Sequence, residues 1–454
     1  MLPWHMRSTQ EQRDEGKALR EATPIGSLAD LRLPLNRPSA LSILQGQDTY
    51  RVQRLLPIRY GRMSADSFAY FRGSAAVMAA DLAAGERTAT LVQLCGDAHL
   101  ANFGLFQSPE RRLVFDINDF DETLPGPFEW DVKRLVASCA LVRPGQSKSH
   151  GRALIHETAT AYCQAIKRAS EVSPLEMWYY RLDYDDMVAL RKNNRKDKTR
   201  EHANLRTNLG AMNKLTERID GHHQIKTRWP LVTRLDEEQA VVAREQYDKL
   251  WGGYLDSLPP NRRTLLSRYT IEDMAMKVVG VGSVGTRCWI ILLLSGDGDP
   301  LFLQLKEASP SVLEKHLGKS QYRKAGQRVV LGQEEIQAAS DVFLGWASTT
   351  RQGAAKGTPI DYYFRQLWDG KFSPTLAMPE SVLRDYARLC AIALARAHAR
   401  SGLAGVLHGY LGDGQEFAQA MTTYALAYAD VAKMDHTELL DAVARGDVEA
   451  QPGI

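Results

Sequence analysis

The chain has 454 residues, 44% of them apolar and 24% charged, a composition that fits a globular protein of two or three substructures and excludes a disordered or fibrous one. A net charge of +3 gives no argument for nucleic acid as a partner. Five scattered cysteines (Cys95, Cys139, Cys163, Cys288, Cys390) without CxxC or Cys/His spacing exclude a disulfide frame and a zinc knuckle, and neither the polar start nor short runs such as WIILLL suit a leader or a membrane span. A cytoplasmic protein without a membrane partner is expected.

Residues 1–45, rich in Arg and Glu, read as a loosely attached polar arm. Helical spacing begins at FAYFRGSAAVMAADLAAG, with Gly85 as its stop. In TATLVQLCGDAHLANFGLFQSPERRLVFDINDFDE short β-rich runs are broken by glycine and by the turn SPER. NFGLFQ and RRLVFDI read as a hairpin that brings Asn102 beside a cluster of aspartates. FEWDVKRLVASCALV returns to helical spacing, and residues 150–260 read as mostly helical. They include a basic run in which Arg191, Lys192, Arg195 and Lys196 either form a solvated face or meet an anionic acceptor. Strands are expected from about residue 270, then a helix through GQRVVLGQEEIQAASDVFLGWA, a strand at DYYFRQL, and helices from Pro379, one ending at Gly402. The resulting divisions are 46–265, 266–375 and 376–454.

Gly280, Gly282 and Gly285, with Ser283 among them, form GxGxxG, but an apolar strand follows them rather than a helix. That order suits a glycine-rich hairpin over nucleotide phosphates better than a dinucleotide fold. The third strand, LFLQLK, ends on Lys306, a point charge to set between phosphates. An acid from the next helix should hold the ammonium. Glu334 is favoured over Glu335 and over the adjacent Glu307.

Phosphoryl transfer asks the protein for an acid that orients or deprotonates the acceptor, and for oxygen ligands to Mg²⁺. In CGDAHLANFG, Asp97 suits the first task. Asn102 and Asp119 suit the second, with Asp116 and Asp121 as alternatives, and His99 either orients the loop or is structural. GDxH also opens two-metal phosphoesterase motifs, but those want further histidines, and LHGY at His408 is the one candidate.

CGDAHLAN, NDF and WDVKRL resemble the catalytic segment of aminoglycoside phosphotransferases and related protein-kinase-like enzymes. The resemblance implies an α+β, two-lobed kinase-like fold, with a predominantly helical catalytic lobe and a small antiparallel-sheet nucleotide lobe. It further implies ATP and Mg²⁺ as cofactors, Asp97 as acceptor base, Asn102 and Asp119 as metal ligands, and Asp131 as the buried brace of the catalytic loop. Cys95 stands where that family has histidine. Gly280 and Lys306 follow Asp97 in the chain instead of preceding it, which implies a circular permutation, a rearrangement that folds tolerate when chain ends lie close together. On that reading DYYFRQL is the hinge strand that meets adenine. The helix YARLCAIALARAHARSG is similar to the one that leads into the catalytic loop. Across most of its length the chain also resembles a bacterial family of unknown function, through FDINDFDETLPGPFEWDVKRL, VVGVGSVGTRC and FLQLKEA. Expected activities are phosphoryl transfer to a small molecule or protein, AMP transfer from the same site, metal-dependent phosphoester hydrolysis, or nucleotide binding alone.

Overall fold

The structure, a computed structural model, describes residues 7–143, 145, 147–185, 208–234, 248–350, 357, 359–367, 370–372 and 375–453. Arg191, Lys192, Arg195 and Lys196 lie outside them. The fold is mixed α+β with antiparallel sheets. Among the described residues no helix is long and apolar enough to cross a membrane.

The N-terminal helices α1 (Thr9–Ala22), α2 (Ala40–Asp48), α3 (Leu56–Met63), α4 (Ser67–Gly73) and α5 (Ala75–Leu82) come first. The expected loose arm is in fact docked. Ser8 and Glu11 cap α1 reciprocally, Arg20 donates to the carbonyls of Gly409 and Tyr410, and Arg37 bridges Asp81 and Asp435, each at 2.7 Å. Its polarity misled because, beside these ion pairs and hydrogen bonds, the apolar residues it buries, Ile25, Leu28, Ala40 and Leu44, are few and widely spaced among polar ones. The single helix expected across FAYFRGSAAVMAADLAAG is broken at Ser74, whose N–H and hydroxyl both return to the Phe71 carbonyl.

Strand β1 (Leu91–Leu94) pairs antiparallel with β4 (Leu124–Pro127); between them β2 (Phe103–Gln107) and β3 (Leu113–Ile117) form the expected hairpin. Helix α6 (Phe128–Leu141) follows and is buried almost throughout, including Glu129, Asp131, Lys133 and Arg134. It packs with α7 (Lys148–Ala169) and the long helices Glu380–Ser401 and Gln415–Arg445 around one core containing Phe128, Trp130, Leu135 and Tyr162. Among the described residues of 150–260 helix predominates, as expected, in α7 and in the shorter helices Pro174–Tyr179 and Asn208–Leu215. Beyond α7 this stretch also includes the short strands β5 (Leu182–Asp183), β6 (Thr216–Ile219), β7 (His222–Ile225) and β8 (Val232–Thr233), with β6 and β7 pairing as a hairpin.

The remaining strands are β9 (Tyr269–Lys277), β10 (Cys288–Ser295), β11 (Pro300–Ala308), β12 (Gly345–Thr350) and β13 (Pro359–Gln366). With β8 they make a six-stranded sheet in the order β12-β13-β11-β10-β9-β8. The unbroken apolar run of β10 has a simple cause: Ile291 and Leu293 enter one core and Ile290 and Leu292 the other, so both faces of this central strand are covered. The helix Ala325–Ile336 lies between β11 and β12 in the chain and packs on β12 and β13. GWA, expected to extend that helix, opens β12 instead.

Candidate functional site

Asp97 sits on the loop after β1, and that loop is fixed by acid-to-backbone bonds. Asp131, 1% exposed, accepts from the N–H groups of Cys95 (2.8 Å) and Gly96 (3.0 Å), and His398 Nε2 lies 3.3 Å from it. Gly96 has φ +84° and rests against the Glu122 carbonyl, where no side chain would fit. The Asp97 carbonyl accepts from His99 N and from Asn102 Nδ2, each at 2.8 Å. Because the Asn102 amide donates inward, its Oδ1 remains for the cleft. The Asp97 carboxylate accepts from Arg134 Nε at 2.8 Å. Burial pushes its pKa above the usual carboxylate range, against the pull of Arg134. His99 is buried, with Nε2 3.7 Å from Asp97 Oδ2. Burial, Arg72 and Arg134 hold it well below the ordinary histidine range, so it is neutral.

The hairpin returns the chain through Asp116 to Asp119 and Asp121. Asp121 receives Lys306 Nζ at 2.5 Å and Tyr363 Oη at 2.7 Å, and Asp119 Oδ1 lies 3.8 Å from the same ammonium. Burial opposes charge on Asp121, yet the attraction and hydrogen bond of Lys306 outweigh it and hold the carboxyl below its usual range. Lys306, 1% exposed, stays protonated: burial works against its charge, and Asp119 and Asp121 more than offset that.

The glycine turn between β9 and β10 closes over these acids. Gly280 and Gly285 take φ +63° and +93°, values open to glycine, and Ser283 Oγ reaches Asp121 Oδ2 at 3.4 Å. Arg51 donates to the carbonyls of Gly282 (2.9 Å) and Val284 (2.5 Å), Arg62 to that of Gly280, and Val52 N to that of Gly285. A cleft of about 120 Å³ results, lined by Asp97, His99, Asn102, Asp119, Asp121, Gly280, Gly282 and Ser283 together with Arg72 and Glu122. Burial pushes the Glu122 carboxyl up to about 7, although Arg328 opposes it.

Three expectations need correction. Glu334 does not meet Lys306; it lines a separate cavity with Trp178 and Arg262. The inward position on its helix belongs to Arg328, which donates to the carbonyls of Asp121, Thr123 and Ser309, so the acid on Lys306 comes from the NDFD loop. Asp116 is no metal ligand: 2% exposed, it is consumed by Arg396 (2.5 Å), Ile117 N and Ala338 N. The backbone of β13 is paired with β11 through Gln366 and with β12 only as far as Phe364, so of DYYFRQL the end beyond Phe364 is the part without a β12 partner. Gly285 belongs to the turn but does not line the cleft.

Sequence reasoning missed Arg134, Arg396 and His398, which stand in helices that read as core. A charge recurring inside an otherwise apolar helical stripe is the signal that could have found them. It also missed Arg51 and Arg62, which hold the glycine turn, and Arg72, which lines the cleft.

Over residues 51–442 the chain matches the family described as "Uncharacterized protein conserved in bacteria (DUF2252)", and it belongs to that family. No curated protein and no solved structure matches it.

Proposed function

We propose that this protein is an ATP- and Mg²⁺-dependent phosphotransferase with a circularly permuted, kinase-like arrangement of its parts. One observation carries the reading: the glycine turn, about 180 residues after Asp97, lines the same cleft as Asp97, Asn102 and the NDFD acids, and Lys306, about 210 residues after Asp97, bonds Asp121 on its wall. Strand, glycine turn, strand, lysine strand, helix and two further strands follow one another as a kinase nucleotide lobe requires. The permutation gains support at Gly402, which ends the helix Glu380–Ser401. A Cβ there would meet Val92 Cγ1 at 2.8 Å, and Ser401 Oγ accepts from Gln93 N at 3.0 Å. The helix that leads into the catalytic loop of a kinase thus abuts β1 of this chain.

Asn102 Oδ1 and the Asp119 carboxylate are hard oxygen donors facing the cleft, and they fit Mg²⁺, which supplies charge neutralisation to the nucleotide phosphates. The chain's own groups do the rest. The ammonium of Lys306 and the N–H groups of the glycine turn hold phosphate oxygens. Asp97 accepts the proton of the acceptor hydroxyl as its oxygen bonds to the γ-phosphorus, the bond to the ADP oxygen breaks, and ADP leaves with the electron pair. Arg134 holds the Asp97 carboxylate in place.

AMP transfer would use the same groups, and isotope at the α- or γ-phosphate of ATP, followed into product, separates the two outcomes. A two-metal phosphoesterase has less to stand on: among the described residues no three His, Cys, Asp or Glu side chains form a metal-holding group, and His408 bonds Ser170. The test is calorimetric titration of Mg-ATP into wild-type protein, Lys306→Ala and Asp119→Asn. Metal-dependent binding, weakened about tenfold or more by each substitution, is expected; no binding by folded wild-type protein overturns the reading.

A further inference from the structure

A second cavity of about 740 Å³ adjoins the cleft, within the range of small-molecule sites. The two share Gln47, Tyr50, Ala76, Ser309, Pro310 and Val312, so one opens beside the other. Ala76 and Ala80 lie one turn apart on α5; Ala76 faces both spaces, Ala80 only the larger. With Ile43 and Ile360 they give it an apolar floor.

Its charges are unevenly matched. The acids on its wall are already engaged: Glu307 by Arg287 at 3.1 Å, Glu314 by Arg328 at 3.8 Å, and Asp361 by Ala325 N and Ser348 Oγ at 2.7 and 2.6 Å. Lys315 and Arg323, both exposed on the cavity rim, enter no ion pair among the described residues. An occupant completing this site has an apolar body and, at the end away from the cleft, an anionic group.

We infer that this cavity is the acceptor site, and that the acceptor is an amphiphilic small molecule carrying a carboxylate, sulfonate or phosphate at one end and a hydroxyl at the other. The inference rests on the phosphotransfer reading. The hydroxyl end passes Tyr50 and Ser309 toward Asp97, which takes its proton as the phosphoryl group leaves ADP. A nucleoside in the same space would leave Lys315 and Arg323 unmatched.

The test uses the full chain and an anilinonaphthalene sulfonate dye, an apolar body with one anionic group, read by fluorescence, with Mg-ATP followed separately by calorimetry. The expectation is saturable binding of one dye per chain, weakened about tenfold or more by Ala80→Phe, which fills the cavity, and by the surface double substitution Lys315→Glu with Arg323→Glu. The uncharged dye lacking the sulfonate should respond to Ala80→Phe alone. Mg-ATP affinity should change less than about twofold in every variant. Dye binding indifferent to both changes overturns the assignment. So does displacement of the dye by ATP together with loss of Mg-ATP affinity in Ala80→Phe, which would make the cavity the nucleoside site. Absence of Mg-ATP binding by the wild type with the dye pattern intact would overturn phosphotransfer, and with it the acceptor role, while leaving an anion-binding cavity in place.

Discussion

Two groups of aspartates lie within 35 positions of one another and meet opposite fates. Asp116 and Asp131 are 2% and 1% exposed, and backbone N–H groups, Arg396 and His398 consume their oxygens. Asp97, Asp119 and Asp121 have side chains 18%, 31% and 29% exposed and open on one cleft. The first pair has become architecture, whereas the second trio, although Arg134 holds Asp97 and Lys306 and Tyr363 hold Asp121, still presents carboxylate surface to the cleft. Residue type does not separate them; what separates them is whether the fold leaves part of the carboxylate open.

Three substitutions would break or sharpen this contrast. The largest effect is expected from Asp97→Asn, which should reduce transfer by about 10²–10⁴-fold while leaving Mg-ATP affinity nearly intact. Single-turnover assays beside calorimetry would show it, and unaltered turnover would remove Asp97 from the role of base. Next comes Asp116→Asn, which leaves Arg396 buried against a neutral group and should cost about 3–5 kcal/mol of stability. Denaturant unfolding should show that loss with no change in Mg-ATP affinity in the folded fraction. A nucleotide phenotype at full stability would return Asp116 to the site.

The smallest effect concerns Glu122, on the wall of the cleft. Its folded pKa lies above its ordinary value of 4.5, at about 7, so its contribution to stability is complete below about pH 4.5 and is lost as pH rises through about 7. Glu122→Gln removes that titration. The variant should gain roughly 2–3 kcal/mol on wild type between pH 5 and pH 8, read as a crossing of their Tm-against-pH curves. Parallel curves would show the carboxyl to be ionised throughout.

Much of this was legible in the sequence. The hairpin, the strand after the glycines, Lys306 on its strand and the helix ending at Gly402 all followed from periodicity and turn residues, because each is a local property. Asn102, Asp119 and Asp97 were legible as a cluster because they are neighbours in the chain. Three things were not. The partner of Lys306 was sought on the next helix, but side-chain pairing across 185 positions leaves no mark in spacing, and Asp121 won. Asp116 read like its neighbours, since the groups that distinguish it, Arg396 and Ala338 N, lie 280 and 222 positions away. The N-terminal arm read as detached because hydrophobic patterning registers apolar faces, and this arm combines arginine contacts with a few scattered buried residues such as Ile25, Leu28 and Leu44.

The residues before β1 also bear on how the chain is made. Arg20 of α1 finds its acceptors in residues 409 and 410, Arg51 finds its own in 282 and 284, and Gln451 N donates to the Pro57 carbonyl. At ordinary synthesis rates the α1 segment leaves the ribosome on the order of tens of seconds before its docking surface exists. A helix as polar as α1 is suited to that wait, since its acceptors in residues 409 and 410 are made late.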